Sequence, residues 1–561
     1  MMRRKLLLAD CYLRPLYPND RDGFPLVYGL AVFITLIICC VLAVSSAVQD
    51  SSTMDEAVHL TAGYSYWKTG DFRLSPEHPP FWKLVTTLPL FLLQPEFQPT
   101  PEEWQGAKLW AISKSFMYSN TVSADLMMLF GRIPVMLASL CLSGSLAWWV
   151  SRKAGCVAGI AAMVMFAFEP TVLAHSRYVT TDIPVTLFIW LSCISWYLYL
   201  EHGGRSRLLG TGLLVGLAFA TKFSALFLPL ALGLMWSRSS RRFGWSLAIV
   251  VGIAVVVAFS TYGFTAVSVA EDPTAPVQLD SRLLSNPIVE KAVHVRVPGY
   301  YFLRGIQMLM RDQIGGYHSY FMGQISPSST WSYFPVAFLL KSCIAWLALI
   351  LLAIVLSISQ ERQSSVRLLA IPVVVYLAFT LVSSFNIGIR HLLPIYPFLC
   401  AIAAIVVFGE KQKFSIRTLG LVLLGFFVIE SGTAYPNYLS FFNMAAGGAE
   451  NGHRYLLDSN LDWGQDLKRL GAYLESNQVE DLCLSYFGAA DPAFYGINYE
   501  ALPQLKKVED FDGLNCVAAV SLQNLYATEG LPFEALQERK PTARVGTSIL
   551  IYDLRPMVLK Q

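Results

Sequence analysis

The stretch LVYGLAVFITLIICCVLAVSSAV, residues 26–48, contains no charged residue. An apolar helix of about 20 residues is long enough to cross the hydrocarbon core of a bilayer. Shortly after it comes TMDEAVHLTAGYSYWKTGDFRLSPEHPPFWK, residues 53–83, which carries several acids and histidines. The first stretch therefore predicts a membrane span, and the second predicts a group of ionisable side chains close to the membrane surface.

The composition of the whole chain agrees with a membrane protein. The 561 residues are 54% hydrophobic and only 14% charged, and the mean hydropathy is +0.48. A soluble globular chain carries about 25% charged residues. The formal net charge is only +3, and the sequence shows no clustered basic face of the kind that binds nucleic acid.

Apolar stretches recur through the first three quarters of the chain, without an internal repeat. They predict a polytopic α-helical membrane protein with about eleven transmembrane helices. The fifth and sixth stretches are short and alternatively form one re-entrant pair. The predicted spans are residues 26–48, 126–150, 155–173, 181–200, 207–222, 223–237, 244–266, 334–357, 367–384, 392–409 and 416–433.

Lysine and arginine residues indicate the orientation, because short cytoplasmic loops carry an excess of them. Their distribution predicts a cytoplasmic N-terminal segment 1–25 without a cleavable signal peptide, outer loops 49–125 and 267–333, and an outer region 434–561. The basic residues of the predicted inner segments are Arg3, Arg4, Lys5, Arg152, Lys153, Arg205, Arg207, Arg238, Arg241, Arg242, Arg362, Arg367, Lys411, Lys413 and Arg417.

The two main outer regions differ in character. The segment 101–118 is amphipathic and rich in aromatic residues, which predicts helices lying in the membrane interface. The region 434–561 combines a helix pattern with short apolar strands, so a small extracytoplasmic α/β domain is expected after a transmembrane domain at 26–433. Whether Cys483 and Cys516 in this region form a disulfide depends on their proximity, which spacing alone leaves open.

Asp55 and Glu56 follow the first span by about seven residues. A carboxylate at that depth stays ionised and is partly desolvated, which suits a general base. The alternative is an ordinary pair of solvated loop carboxylates. Asp55, His59, Glu77 and His78 are also oxygen and nitrogen donors within one loop, so a divalent metal is an open alternative, while no cofactor is indicated otherwise.

Cations are predicted at the same outer level. Arg177 and Asp182 bracket a short outer loop, and an arginine there suits a phosphate, although the two residues alternatively form an ion pair that closes the loop. Lys222 interrupts an apolar stretch, which indicates a functional position or a side chain that reaches to the interface. Arg390 and His391 lie at the outer end of the turn between the ninth and tenth spans.

With these residues in hand, the chain resembles the GT-C glycosyltransferase superfamily, in the branch of the protein O-mannosyltransferases and the lipid A aminoarabinose transferase. The resemblance covers residues 26–433. The matching features are the acidic pair Asp55–Glu56, the segment PEHPPFWK with Glu77, Pro79 and Pro80, the loop from Arg177 to Asp182, the span end at Lys222, the segment WSYFPVAFLLK at 331–341 and the segment RHLLPIYPFL that begins at Arg390.

The chain also departs from these relatives. It lacks the β-trefoil insertion of the eukaryotic enzymes, and its C-terminal part resembles bacterial members of unassigned substrate. A bacterial cytoplasmic membrane is therefore the expected location. His78 stands where the aminoarabinose enzymes have a lysine in their Glu-Lys-Pro-Pro form, so any role of that lysine does not transfer.

The resemblance implies an inverting transfer of one sugar from a polyprenyl-phosphate carrier to a protein, lipid or glycan acceptor outside the membrane. Asp55 is the expected base, paired with Glu56 as the catalytic carboxylates. Three cations are expected to bind the carrier phosphate: Arg177, Lys222 and Arg390. The residues expected to order the site or bind substrate are Glu77, His78, Asp182, His391 and His59, and Glu56 shares in this ordering.

Two other classes of function fit parts of the pattern. Charged residues among many spans also occur in a transporter or flippase of an anionic or lipid-linked substrate, but such proteins commonly contain internal repeats. A ligase that moves a whole glycan from a lipid carrier, or a non-catalytic scaffold, is the other alternative. The outer region 434–561 is expected to recognise the acceptor or cover the site, or alternatively to be a stabilising appendage.

Overall fold

A computed structural model describes residues 26–236, 243–274, 287–316, 318–327, 329–359, 364–511 and 513–555. The predicted segment 1–25 lies outside the described residues, as do the basic positions Arg238, Arg241, Arg242 and Arg362. The described residues form a bundle of apolar helices, followed by a C-terminal region that contains a five-stranded sheet.

Each predicted apolar stretch contains helix. The described helices of the bundle are Leu26–Ala47, Ala124–Ala154, Cys156–Ala167, Pro170–His175, Asp182–His202, Arg205–Thr221, Phe223–Phe227, Leu228–Leu234, Phe243–Ser260, Tyr333–Lys341, Ile344–Ser359, Ser364–Leu381, Ile389–Ile395, Tyr396–Phe408 and Phe414–Gly432. Phe223–Phe227 and Ile389–Ile395 are 3-10 helices that lead into the α-helices following them.

Within the described residues, five helices are long and apolar enough to cross a membrane, or six if a pair bent by 116° forms one span. Several shorter apolar helices accompany them. The five are Leu26–Ala47, Ala124–Ala154, Asp182–His202, Ile389–Phe408 and Phe414–Gly432. The chain is therefore an integral multi-pass membrane protein, as expected, whereas the number of eleven spans stays a prediction.

The helix after the first span, Met54–Thr69, is defined by local signals. Glu56 accepts a hydrogen bond from the Thr53 N–H at 3.0 Å, which caps the start of the helix. Gly70 ends the helix in the left-handed conformation, with φ of 67° and its N–H donated to the Tyr66 carbonyl. The remaining helices of the first outer loop are Phe81–Thr87, Leu88–Leu92, Pro101–Gln105 and Leu109–Tyr118.

The described residues of the predicted outer loop 267–333 include the helices Pro287–Val293 and Tyr300–Gly315 and the 3-10 helix Val269–Glu271. Two short antiparallel pairs of strands join β1 (Ala266–Val267) with β2 (Val297–Pro298), and β3 (Ser319–Phe321) with β4 (Gln324–Ser326).

The described C-terminal region contains one five-stranded sheet and several short helices. Its sheet contains β5 (Leu482–Ser485), β6 (Glu500–Ala501), β7 (Val517–Ser521), β8 (Ala543–Val545) and β9 (Ile549–Asp553) in the order β6-β5-β7-β9-β8. Strands β5, β6 and β7 are parallel, and β9 is antiparallel to β7 and β8. Its helices are Gly448–Asn451, Leu467–Ser476, Leu522–Tyr526 and Glu534–Gln537. A disulfide joins Cys483 to Cys516, on or next to neighbouring strands β5 and β7.

Candidate active site

Four predicted site residues form one continuous ionic cluster. Arg390 Nη1 lies 2.8 Å from Asp55 Oδ2 and 3.7 Å from Asp182 Oδ2. Lys222 Nζ lies 2.6 Å from Asp182 Oδ1. The cluster thus alternates negative and positive side chains in the order Asp55, Arg390, Asp182 and Lys222, although Asp55 and Arg390 are more than 300 positions apart in the sequence.

The ends of helices bring this cluster together. Asp182 begins the helix Asp182–His202, and the helix Arg205–Thr221 returns along it to end next to Lys222. Two helices of 21 and 17 residues are similar in length at 1.5 Å per residue, so this hairpin brings Lys222 back to the level of Asp182. Asp55 and Asp182 both occupy the first turn of a helix, where the helix dipole favours a negative charge.

Asp55 is the accessible carboxylate of the neighbouring acidic pair. Its side chain is 26% exposed, whereas that of Arg390 is 8% exposed. Burial alone would raise the pKa of Asp55, but Arg390 and then His59 outweigh it and hold the pKa of that carboxyl below its ordinary value. Asp55 is therefore ionised at neutral pH and accessible to solvent.

The surroundings of Glu56 differ from those of Asp55. Its carboxylate is fully buried and accepts hydrogen bonds from Arg132 at 2.7 and 2.9 Å and from the Val179 N–H at 2.8 Å. With the Thr53 contact, these donors surround both oxygens. Glu56 thereby fixes the loop 176–181 to the start of the helix that carries Asp55, which is an ordering role.

Arg177 pairs with Asp50, whereas a carrier phosphate or Asp182 was the expected partner. It donates to Asp50 at 2.7 and 3.1 Å, and Asp50 also accepts from Arg469 at 2.8 Å. The expected alternative of an ion pair between Arg177 and Asp182 is wrong, because Asp182 instead contacts Lys222 and Arg390. Arg177 is 1% exposed, and its guanidinium contacts Asp50, the Tyr178 hydroxyl and the Pro436 carbonyl.

Histidines from three elements lie around the cluster. The His59 and His78 rings are 5.3 Å apart, and His59 Nδ1 lies 2.9 Å from the Val179 carbonyl. Burial lowers the pKa of His59 below its ordinary value and that of His78 well below it, so both rings are neutral at pH 7. His391 stacks on Phe334 with 6.2 Å between ring centroids.

Asp55, Lys83 and Glu77 all act on the charge of His59, so Glu77 lies near the ionic cluster that contains Asp55. Within the described parts of the chain, no group of three or more His, Cys, Asp or Glu side chains is arranged to hold a metal ion. The donors of the first outer loop are instead engaged with protein groups: His78 Nδ1 lies 2.8 Å from the Glu77 carbonyl.

The structure also assigns positions that the sequence reasoning missed. Trp463 packs its ring against the Arg390 guanidinium, with 4.3 Å between the guanidinium carbon and the ring centroid. Arg132 binds the Glu56 carboxylate, and Asp50 binds Arg177. Asn460 accepts from the Ile389 N–H at 2.9 Å. The segment DSNLDWGQD, residues 458–466, is the signal that was available, because it places three acids, an asparagine and a tryptophan together.

Comparison with known proteins finds similar sequences for part of the chain. Residues 122–263 match the family model described as dolichyl-phosphate-mannose-protein mannosyltransferase. A protein of Schizosaccharomyces pombe with the name dolichyl-phosphate-mannose–protein mannosyltransferase 1 is 26% identical over 224 residues, which are 37% of this chain. The aligned part is 23% of the length of the fission yeast protein.

Two solved structures are similar to this chain over most of its length. The S. cerevisiae protein O-mannosyltransferase complex Pmt1-Pmt2, bound to its sugar donor, matches with a TM-score of 0.50 and 11% identity over 75% of this chain and 91% of that chain. ArnT from Cupriavidus metallidurans, bound to undecaprenyl phosphate, matches at 0.47 and 12% identity over 94% and 99%. These matches confirm the resemblance read from the motifs, and the chain is a multi-pass membrane protein whose fold is similar to that of a protein O-mannosyltransferase complex.

Proposed function

We propose that the protein is an inverting glycosyltransferase that moves one sugar from a polyprenyl-phosphate carrier to an acceptor hydroxyl outside the membrane. The observation that carries this proposal is the cluster in which a partly exposed carboxylate, Asp55, lies directly beside Arg390, with Lys222 one carboxylate further on. This displacement needs a base for the acceptor hydroxyl and positive charge for the leaving phosphate, and the cluster contains a carboxylate and two cations.

Asp55 acts on the acceptor, and Lys222 and Arg390 act on the carrier phosphate. The acceptor oxygen attacks the anomeric carbon while Asp55 accepts the proton of its O–H group. The bond from that carbon to the phosphate oxygen breaks, and the carrier phosphate leaves with the electron pair. Lys222 and Arg390 stabilise the charge that develops on this phosphate, because both cations are already held at the cluster and need little reorganisation.

The other predicted residues have supporting roles. Asp182 holds both cations in place, and His78 and His391 line the same neighbourhood as Lys222. Glu56 acts as a positioning residue for Asp55 rather than in the reaction. Arg177 is less suited than Lys222 to bind phosphate, because its guanidinium is buried against Asp50, and we assign it to positioning as well.

Replacement of Asp55 tests this proposal. Asp55→Asn keeps an oxygen for Arg390 but removes the base, so turnover is expected to fall by about 10² to 10⁴-fold. The measurement is sugar transfer by the purified protein against a panel of polyprenyl-phosphate sugars, with and without a chelator. Asp71→Asn is the matched control, because Asp71 belongs to the same outer loop but pairs with Arg73.

Near-normal turnover of Asp55→Asn would reject the base assignment. Mass spectrometry of the lipid that co-purifies with the protein distinguishes the class of function. A carrier with a single sugar supports transfer, a carrier with a whole glycan indicates a ligase, and an unlinked solute indicates a transporter.

A further inference from the structure

A large pocket lies where the last helix of the bundle leads into the C-terminal region. Its volume is about 510 Å³, which is in the range of ligand-binding pockets. It is lined by Glu430 near the end of the helix Phe414–Gly432, by Tyr435, by the segment 441–444 and by Thr547. Because this helix is long and apolar enough to cross a membrane, its end marks the level of the membrane surface. The pocket therefore lies at that surface.

Glu430 brings a negative charge to this pocket. One oxygen of its carboxylate accepts a hydrogen bond from the Ile344 N–H at 3.1 Å, and the other accepts one from the Ala345 N–H at 3.4 Å. These bonds hold the carboxylate at the start of the helix Ile344–Ser359, and each oxygen keeps a further lone pair. Among the residues that the structure describes, no lysine, arginine or histidine pairs with it. The carboxylate is thus fixed in position and free to bind a cation.

Aromatic side chains line the same pocket. Tyr435 is 44% exposed, and Phe441 and Phe442 are buried in the wall. The face of an aromatic ring attracts a positively charged group, and aromatic residues commonly recognise ammonium ligands. The described residues of this lining include no lysine or arginine, so nothing there would offset a net negative ligand. A carboxylate beside aromatic rings therefore favours a ligand with an ammonium group.

Exposed apolar side chains border the pocket. Met444 belongs to its lining and is 83% exposed. Ile344, whose N–H binds Glu430, is also exposed, and so is Leu339, whose carbonyl accepts from Asn443 at 2.6 Å. Apolar side chains that are exposed at the end of a membrane-crossing helix are covered by the acyl chains of lipids. The rim of the pocket thus suits acyl chains, whereas its interior suits a charged head group.

We infer that this pocket binds a phospholipid whose head group carries an ammonium group. The ammonium group binds the Glu430 carboxylate beside the Tyr435 ring, and the acyl chains lie against Leu339, Ile344 and Met444. A soluble amine would also pair with Glu430, but it would leave this apolar rim uncovered, so a lipid is the favoured occupant. The pocket shares no residue with the cluster around Asp55, and the inference does not depend on sugar transfer.

Lipid binding by the purified full-length chain in detergent tests this inference. Native mass spectrometry measures the affinity for the first lipid that binds. The lipids are phosphatidylethanolamine, its N-acetyl derivative, which lacks the ammonium charge, and phosphatidylglycerol, all with the same acyl chains. Free phosphoethanolamine is added as a competitor in a separate series, because it carries the same ammonium group without acyl chains. This series distinguishes a lipid site from a site for a soluble amine.

Two variants change the pocket in different ways. Glu430→Gln removes the charge and keeps the shape of the side chain. Thr433→Trp adds a large side chain at an exposed position of the lining, where a change of fold is not expected. Glu410→Gln is the matched control, because Glu410 is an exposed acid that precedes the opposite end of the same helix. The Tm of each variant separates a loss of lipid binding from a loss of folding, and Thr433→Trp decides if Glu430→Gln lowers the Tm.

The wild-type protein is expected to bind phosphatidylethanolamine about tenfold more tightly than the other two lipids, which corresponds to one hydrogen bond between charged groups. Glu430→Gln should remove this preference, Thr433→Trp should weaken the binding of phosphatidylethanolamine, and Glu410→Gln should behave as the wild type. Equal affinities of the wild type for the three lipids, or a preference for phosphatidylglycerol, would overturn the inference. A preference that persists in both pocket variants would overturn it as well, as would free phosphoethanolamine that competes as strongly as the lipid.

Discussion

At the scale of single residues, two adjacent carboxylates have opposite environments. Asp55 is partly exposed and pairs with one arginine, whereas Glu56 is enclosed by Arg132, Thr53 and Val179. The helix geometry produces this difference, because neighbouring residues point about 100° apart around the axis. Adjacent acids in the sequence therefore support different roles.

Replacement of Glu56 tests this division. Glu56→Gln keeps the shape but leaves the buried Arg132 without its counter-charge, and breaking a buried pair in this way costs about 3 kcal/mol or more. We expect a clear fall in Tm, measured by thermal unfolding of the purified protein in detergent. Activity is expected to fall with it, since Asp55 sits on the same helical turn.

Asp71→Asn is again the control, because the pair of Asp71 with Arg73 is partly exposed and such pairs contribute about 0–1 kcal/mol. Glu56→Gln with a wild-type Tm and a loss of activity would show that Glu56 acts in the reaction rather than in positioning.

At the scale of elements, the helix that carries Asp55 is fixed by close packing. Gly63 in Met54–Thr69 lies against the backbone of Lys83 in Phe81–Thr87, and a Cβ at Gly63 would collide with the Lys83 carbonyl. Lys83 in turn donates from its buried ammonium group to the Ser75 carbonyl at 2.6 Å and to the Tyr66 hydroxyl at 2.9 Å. The segment 54–87, which carries Asp55, is therefore closely packed.

Gly63→Ala tests this packing. The added methyl group meets backbone atoms that cannot rotate away, so a loss of about 1–3 kcal/mol in the free energy of unfolding is expected. Gly144→Ala is the control, because no atom lies within 4 Å of a Cβ at that helical position and alanine favours helix. Thermal unfolding of both variants measures the difference, and equal Tm values would contradict the close contact.

At the scale of the whole molecule, the C-terminal region is tied to the bundle at several points. Arg469 pairs with Asp50 after the first span, Lys468 pairs with Asp125 at 2.5 Å, and Asn460 binds the turn at Ile389. The first of these pairs is almost fully buried on the Asp50 side. The region thus packs against the bundle and reaches the candidate site, where Trp463 lies over the Arg390 guanidinium.

The predicted orientation has a direct test at this scale. Because the basic residues gather in alternate loops, a tag at the C-terminus is expected on the outer side and a tag at the N-terminus on the inner side. Externally added protease should remove the first tag from intact spheroplasts and leave the second. Protection of the C-terminal tag would reverse the orientation and place the proposed site in the cytoplasm.

The sequence by itself was enough to predict a multi-pass helical membrane protein that resembles the GT-C glycosyltransferases. Long apolar stretches follow from the cost of unpaired backbone groups in lipid, and this constraint acts on each segment independently of its neighbours. The motifs around Asp55, Lys222 and Arg390 were identified for a similar reason, because a charge next to an apolar stretch is unusual and visible locally.

The pairing of these charges was decided only by the tertiary structure. Arg177 and Asp182 are neighbours in one loop, yet each pairs with a residue from another segment, and Arg132 and Asp50 gave no comparable signal in the sequence. Ion pairs depend on distances of a few ångströms, which helix packing sets after the segments have formed. A single sequence therefore determines which charges lie near the membrane surface, and only the packed helices determine which of them face each other.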